Sequence, residues 1–211
     1  MDNLLKVLPL AVVMIAGPQI ITAIMLATSE KALRNSYAYV AGAMVASTAA
    51  TAVFYYAARA LGLEGSDGDS GSAVVDWLLV IVLLVAAVRV FLKRHDTEPP
   101  KYMRKLQTAT PSAAFRIGLL LFLIMPTNLL VTFTVGTFLA SQGEPLWRSI
   151  GFLLVTGLLI SSPLLVLLLM GRRADTVLPA LRNWMNANAW VVSEIVLALF
   201  LVLQIQSIMS A

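Results

Sequence analysis

Apolar stretches of about 20 residues recur along this chain, and a helix of that length crosses about 30 Å of hydrocarbon. Six can be marked, at 4–27, 36–60, 74–92, 115–140, 149–170 and 188–208. In lipid the backbone has no water to bond, so every N–H and C=O must find its partner within the chain, which uninterrupted runs do as helices. Composition agrees. Of 211 residues, 59% are hydrophobic and 12% charged, with mean hydropathy +0.87; a soluble domain is about a quarter charged. The first stretch is expected to be a span rather than a cleaved signal peptide, being long, interrupted by Gly17-Pro18-Gln19 and without a strongly basic start. Six spans leave no room for a soluble catalytic domain, so the function is expected to lie in the membrane.

Two stretches carry a proline near their middle, one in each half of the chain. They are Gly17-Pro18-Gln19-Ile20-Ile21-Thr22 and Met125-Pro126-Thr127-Asn128. Proline lacks an N–H and its ring crowds the carbonyl four residues back, so each should kink or break its helix. The freed backbone groups then need polar partners or a water-lined cavity. Amide and hydroxyl side chains follow both prolines at once. Paired interruptions at matching places point to a transporter-type site at mid-membrane. The candidate substrate-binding residues are therefore Gly17, Pro18, Gln19, Thr22, Pro126, Thr127 and Asn128.

Lysine and arginine set the orientation. Ten lie in the links 28–35, 93–114 and 171–187, and Arg89 and Arg116 at flanking helix ends bring that side to twelve. The other side holds three, Lys6, Arg59 and Arg148, and its 61–73 loop is acidic. The basic side faces the cytoplasm, so both termini are expected outside a cytoplasmic (inner) membrane.

Each half also repeats one plan: a proline-interrupted span, a short charged link, a second span, a longer link and a third span. Trp77 in span three matches Trp190 in span six. Three spans per half make the halves enter from opposite sides, the inverted-repeat plan of many secondary transporters. The expected fold is thus an all-α integral membrane protein of six helices in two inverted three-helix repeats, with proline-broken helices 1 and 4. Its units are 1–92, a basic cytoplasmic linker at 93–114, and 115–211. Gly65 to Ser72 reads as a flexible external linker. Tyr102-Met103-Arg104-Lys105-Leu106 reads either as an interfacial helix touching anionic lipid or as a solvated loop.

The stretches Leu8-Pro9-Leu10, Gly17-Pro18-Gln19-Ile20-Ile21, Leu26 to Asn35 and Ala38-Tyr39-Val40-Ala41-Gly42 resemble the start of the GAP family. These are the small six-span sulfolipid- and glycopeptidolipid-addressing proteins, placed in the lysine exporter superfamily. The family pattern is a proline motif in span one, a link ending in Arg-Asn, then an aromatic and a glycine in span two. The chain departs from it at Gly-Pro-Gln-Ile, where the pattern has a serine and a second proline. The resemblance implies export of a lipid or amphipathic metabolite toward the cell envelope, or of a small amino-acid-like solute.

Individual residues add detail. Gly42, with Ala38, Ala41 and Ala46, offers a small-residue face for close helix approach. Asn35 is expected to cap span two. Arg34 is a candidate for attracting an anionic head group, beside its role in orientation. Glu194 is a proton-coupling candidate, because an ionisable group inside a span is expensive; a span starting near 195 would instead leave it at the surface beside Arg182. Arg89 is expected to snorkel, and Ser161-Ser162-Pro163 to kink span five.

What is missing narrows the function. With no cysteine, one histidine (His95) in a charged loop and almost no carboxylates in the spans, a metal site is not expected. No nucleophilic triad, phosphate loop or acidic pair can be assembled, so neither an enzyme nor a cofactor is expected, and nothing suggests nucleic acid. The expected partners are membrane lipids and a lipid or small amphipathic substrate, with a larger exporter complex and a homo-oligomer as further candidates. Two functions stand side by side: an alternating-access exporter with its site between broken helices 1 and 4, and a non-transporting accessory subunit of a larger lipid-export complex.

Overall fold

The computed structural model describes residues 18–62 and 106–171, with isolated positions at 10, 11, 14, 15, 174, 176–181, 183, 184, 198 and 202. Among the described residues every regular element is a helix. In chain order they are α1 (Pro18–Ala27), α2 (Ala32–Ala60), α3 (Pro111–Ile124), α4 (Pro126–Ser141), a 3-10 turn (Leu146–Ser149), α5 (Ile150–Ile160) and α6 (Ser162–Met170). The expected span 74–92 and, apart from positions 198 and 202, the expected span 188–208, with Trp77, Trp190 and most of the central linker, lie outside the described residues.

Helix α2 has 29 residues, about 43 Å at 1.5 Å per residue, and by itself is long and apolar enough to cross a membrane. Two bent pairs meet the same test together: α3 with α4, bent by 67°, and Leu146–Ile160 with α6, bent by 51°. These three coincide with expected spans two, four and five. Both bends fall where proline chemistry puts them. Met125, just before Pro126, is extended at φ −65° and ψ 125°, the conformation a following proline ring favours. At the second bend the Ser161 hydroxyl donates to the Gly157 carbonyl at 2.6 Å. Helix α3 starts at Pro111, so positions 111–114 are helical; Thr110 caps it, its hydroxyl accepting from the Ala113 N–H at 3.3 Å.

The inside of α2 is small and polar: Asn35, Ser36, Tyr39, Gly42, Ala43, Ala46, Ser47, Ala50, Thr51, Tyr55 and Ala58 are buried. Its large apolar side chains, Leu33, Val45 and Val53 among them, are exposed. A soluble helix does the reverse. This is a membrane protein.

Backbone contact fixes α2 against the broken span. A Cβ on Gly42 would overlap the Phe115 carbonyl oxygen, and one on Gly118 the Tyr39 carbonyl oxygen. A Cβ on Gly136 would lie 2.8 Å from both the Thr51 carbonyl oxygen and the Tyr55 nitrogen. Of the small face expected at Gly42, the glycine itself meets α3 and Ala46 is buried, whereas Ala38 is half-buried and Ala41 exposed. Residue order along these crossings makes α2 and α3–α4 run the same way. At one end Glu30 N–H donates to the Gln107 carbonyl at 3.3 Å; at the other the Tyr55 hydroxyl donates to the Glu144 carbonyl at 3.0 Å.

Asn35 does not cap α2. The helix begins at Ala32, with Lys31 at the cap position and no side-chain bond there. Thr28 and Ser29 turn the chain early, their hydroxyls donating to carbonyls of Ile24, Met25 and Leu26. Asn35 is thereby carried inside the first turn, where its amide donates to Ser29 Oγ at 2.9 Å and to the Ala109 carbonyl at 3.0 Å.

Candidate functional site

Pro18 opens α1 and Pro126 opens α4. At the first position of a helix a proline loses no hydrogen bond; Met125, before Pro126, is extended, and residues 16 and 17, before Pro18, lie outside the described residues. Gln19 follows one residue after its proline and Asn128 two residues after its own. The two side chains meet: Gln19 Nε2 donates to Asn128 Oδ1 at 3.3 Å, and both residues are fully buried. The bond is longer than the usual 2.9–3.0 Å for N–H···O.

From this contact α1 runs to the end where Glu30 meets Gln107, and α4 to the end where Tyr55 meets Glu144. Two helix N-termini therefore face one junction, each equivalent to about half a positive charge. The junction lies between the glycine crossings that fasten α2, away from both ends of the molecule.

Neighbouring bonds hold the pair in place. The Tyr39 hydroxyl donates to the Gln19 carbonyl at 2.8 Å, and Asn128 Nδ2 donates to the Leu121 carbonyl, before the break, at 3.3 Å. Thr22 and Thr132 turn back on their own helices, donating to the carbonyls of Pro18 (2.6 Å) and Asn128 (2.9 Å). Gln19 Oε1, Thr51 Oγ1 and Thr156 Oγ1 are buried without a hydrogen-bond partner. An unpaired buried polar atom costs about 1–3 kcal/mol. Every buried polar side chain among the described residues is neutral. The junction can thus hold a polar or anionic group by hydrogen bonds and helix ends, with Gln19 Oε1 open to a donor.

Not every candidate joins it. Gln19 and Asn128 touch, and Thr22 lies one turn along α1. Pro18 is half-buried and Pro126 exposed. Thr127 is half-buried and makes no hydrogen bond to the pair. Arg34 is exposed in the first turn of α2, at the end where the links meet. Gly17 and Glu194 lie outside the described residues. Thr132 is not singled out by the sequence, and Tyr39 only as the aromatic of the family pattern. A signal exists for Tyr39: Asn35, Tyr39, Ser47, Thr51 and Tyr55 recur at multiples of four along α2, and all are buried.

Tyr39→Phe keeps the ring and removes the hydroxyl that donates to the Gln19 carbonyl. It should lower stability by about 1 kcal/mol, read as a fall in the unfolding midpoint of detergent-solubilised protein; an unchanged midpoint would mean that this bond does not hold α1.

A family model described as Sap, sulfolipid-1-addressing protein, matches residues 7–209. It agrees with the resemblance carried by Gly17 to Ile21 and Leu26 to Gly42. No curated protein and no solved structure matches the chain.

Proposed function

Because the chain belongs to the sulfolipid-1-addressing protein family, we propose that it is a small transporter exporting a lipid or amphipathic metabolite across the cytoplasmic membrane toward the cell envelope. It does so by alternating access, with six spans in two inverted three-helix repeats, both termini outside, on the plan of the lysine exporter superfamily. The protein catalyses no covalent chemistry and needs no cofactor or metal.

One observation carries this reading: the Gln19–Asn128 contact, in which two proline-opened helices of opposite direction meet at their N-termini. Discontinuous helices whose N-termini converge are how secondary transporters hold polar or anionic groups at mid-depth. Here the head of the cargo bonds Gln19, Asn128 and the helix ends, while its apolar part lies against the outward apolar side chains. The partners are that cargo, membrane lipids and, for delivery, a larger exporter complex or a second copy of the chain.

A specific observation favours the accessory-subunit reading: Asn128 Nδ2 bonds the Leu121 carbonyl across the break, so the amide also ties the two halves of its own span together. Extracted envelope lipids from cells producing wild type, Gln19→Ala or Asn128→Ala, at matched protein level, separate the two. An exporter loses one lipid class from the envelope in both variants, by about tenfold or more. Unchanged profiles would mean the pair only mends the helix.

A further inference from the structure

With Gln19 and Asn128 fully buried, some element must move before any group reaches them. Helices α2, α3 and α4 are fastened backbone to backbone at Gly42, Gly118 and Gly136. Helix α1 contains no glycine and packs through Ile20, Ile21, Ile24, Met25 and Leu26. Bulky side chains keep helix axes 8–10 Å apart, so this helix can shift without breaking a backbone crossing. Among the described residues, hydrogen bonds tie it and its following link to the rest at two places. One is the junction itself, through Gln19 with Asn128 and Tyr39. The other is the end of the molecule where the two links meet.

At that end one side chain serves both halves. The two hydrogens of Asn35 Nδ2 go to Ser29 Oγ in the link after α1 and to the Ala109 carbonyl in the link before α3. Its Oδ1 is buried and has no partner, so the residue acts through its donors alone. The Glu30 to Gln107 backbone bond lies beside it. Asn35 and Tyr39, one turn apart on α2, thus hold the two ends of α1.

We propose that Asn35 is a positioning residue for the Gln19–Asn128 site and the clasp of its entrance: its amide pins the α1 link to the α3 link, and releasing it opens the molecule at the end carrying Lys31 and Arg34. This deepens the transporter reading, yet its test needs no cargo.

The chain has no cysteine, so single reporters can be placed on it. Ala27→Cys lies at the clasped end of α1 and Ala140→Cys at the far end of α4; the native alanines are 2% and 1% exposed. Each is reacted with a charged maleimide in nanodiscs. Adding Asn35→Ala should speed modification at Ala27→Cys by about tenfold or more, since two bonds to a neutral amide are lost. Ala140→Cys should not change. Ser29→Ala removes one of the two bonds and gives a smaller acceleration at the same place, which decides the matter if Asn35→Ala does not fold. No acceleration at Ala27→Cys, or equal acceleration at both ends, would overturn the clasp. A protein that passes this test but moves no lipid would contradict the exporter reading alone.

Discussion

Gly42→Leu is expected to leave no folded protein, and Gly118→Ala to cost about 3 kcal/mol. The reason lies in what the added carbon meets. At both positions a Cβ would overlap a carbonyl oxygen of the facing helix, Phe115 for Gly42 and Tyr39 for Gly118. Backbone cannot swing aside as a side-chain tip can, so α2 and α3 must separate along the whole crossing. Gly151, in α5, is the control: nothing lies within 4 Å of its added Cβ. Gly151→Ala should stabilise by about 1 kcal/mol through helix propensity alone. Unfolding of the three proteins in one detergent measures this. Equal behaviour of Gly118→Ala and Gly151→Ala would mean that α2 and α3 are not in backbone contact.

Truncating the junction amides one at a time should cost more than replacing both together. Asn128→Ala leaves Gln19 Nε2 without an acceptor and takes a donor from the Leu121 carbonyl. Stranding the buried Gln19 amide should cost about 1–3 kcal/mol, while the Leu121 carbonyl keeps the Met125 N–H. In Gln19→Leu/Asn128→Leu the stranded amide is gone, and with it the already unpaired Gln19 Oε1. An apolar replacement of both partners can be nearly neutral, so the double variant should recover most of the loss. It should nevertheless export nothing, because the polar junction has been removed. Stability comes from unfolding midpoints and export from envelope lipid extraction. A double variant that is stable and still exports would contradict a role for the pair in transport.

The breaks were legible because proline acts locally: its missing N–H and its ring put the bends beside Pro126 and Pro163 wherever the rest of the chain goes. The meeting of Gln19 with Asn128, 109 residues apart, could be anticipated only through the repeat, which placed both prolines at matching depth. Thr127 and Asn128 look equivalent in sequence, but neighbours on a helix point about 100° apart, and Asn128 is the one turned inward. Asn35 was misjudged by the same kind of local rule. Capping counts acceptors in one turn, whereas Ser29 Oγ and Ala109, 74 residues away, took this amide. Tyr39 is legible as the aromatic of the family pattern, but nothing in its neighbours in sequence foretells a bond to the Gln19 carbonyl. Gly42 could be read as a small face, but not that Phe115 would meet it.

Export requires that the junction of the two proline-opened helices hold cargo. Native mass spectrometry with lipidomics on gently purified protein asks this directly, with wild type beside Gln19→Ala and Asn128→Ala. The expected result is one discrete lipid species on the wild type that both variants lose. Bulk membrane lipid alone, the same on all three proteins, would contradict it.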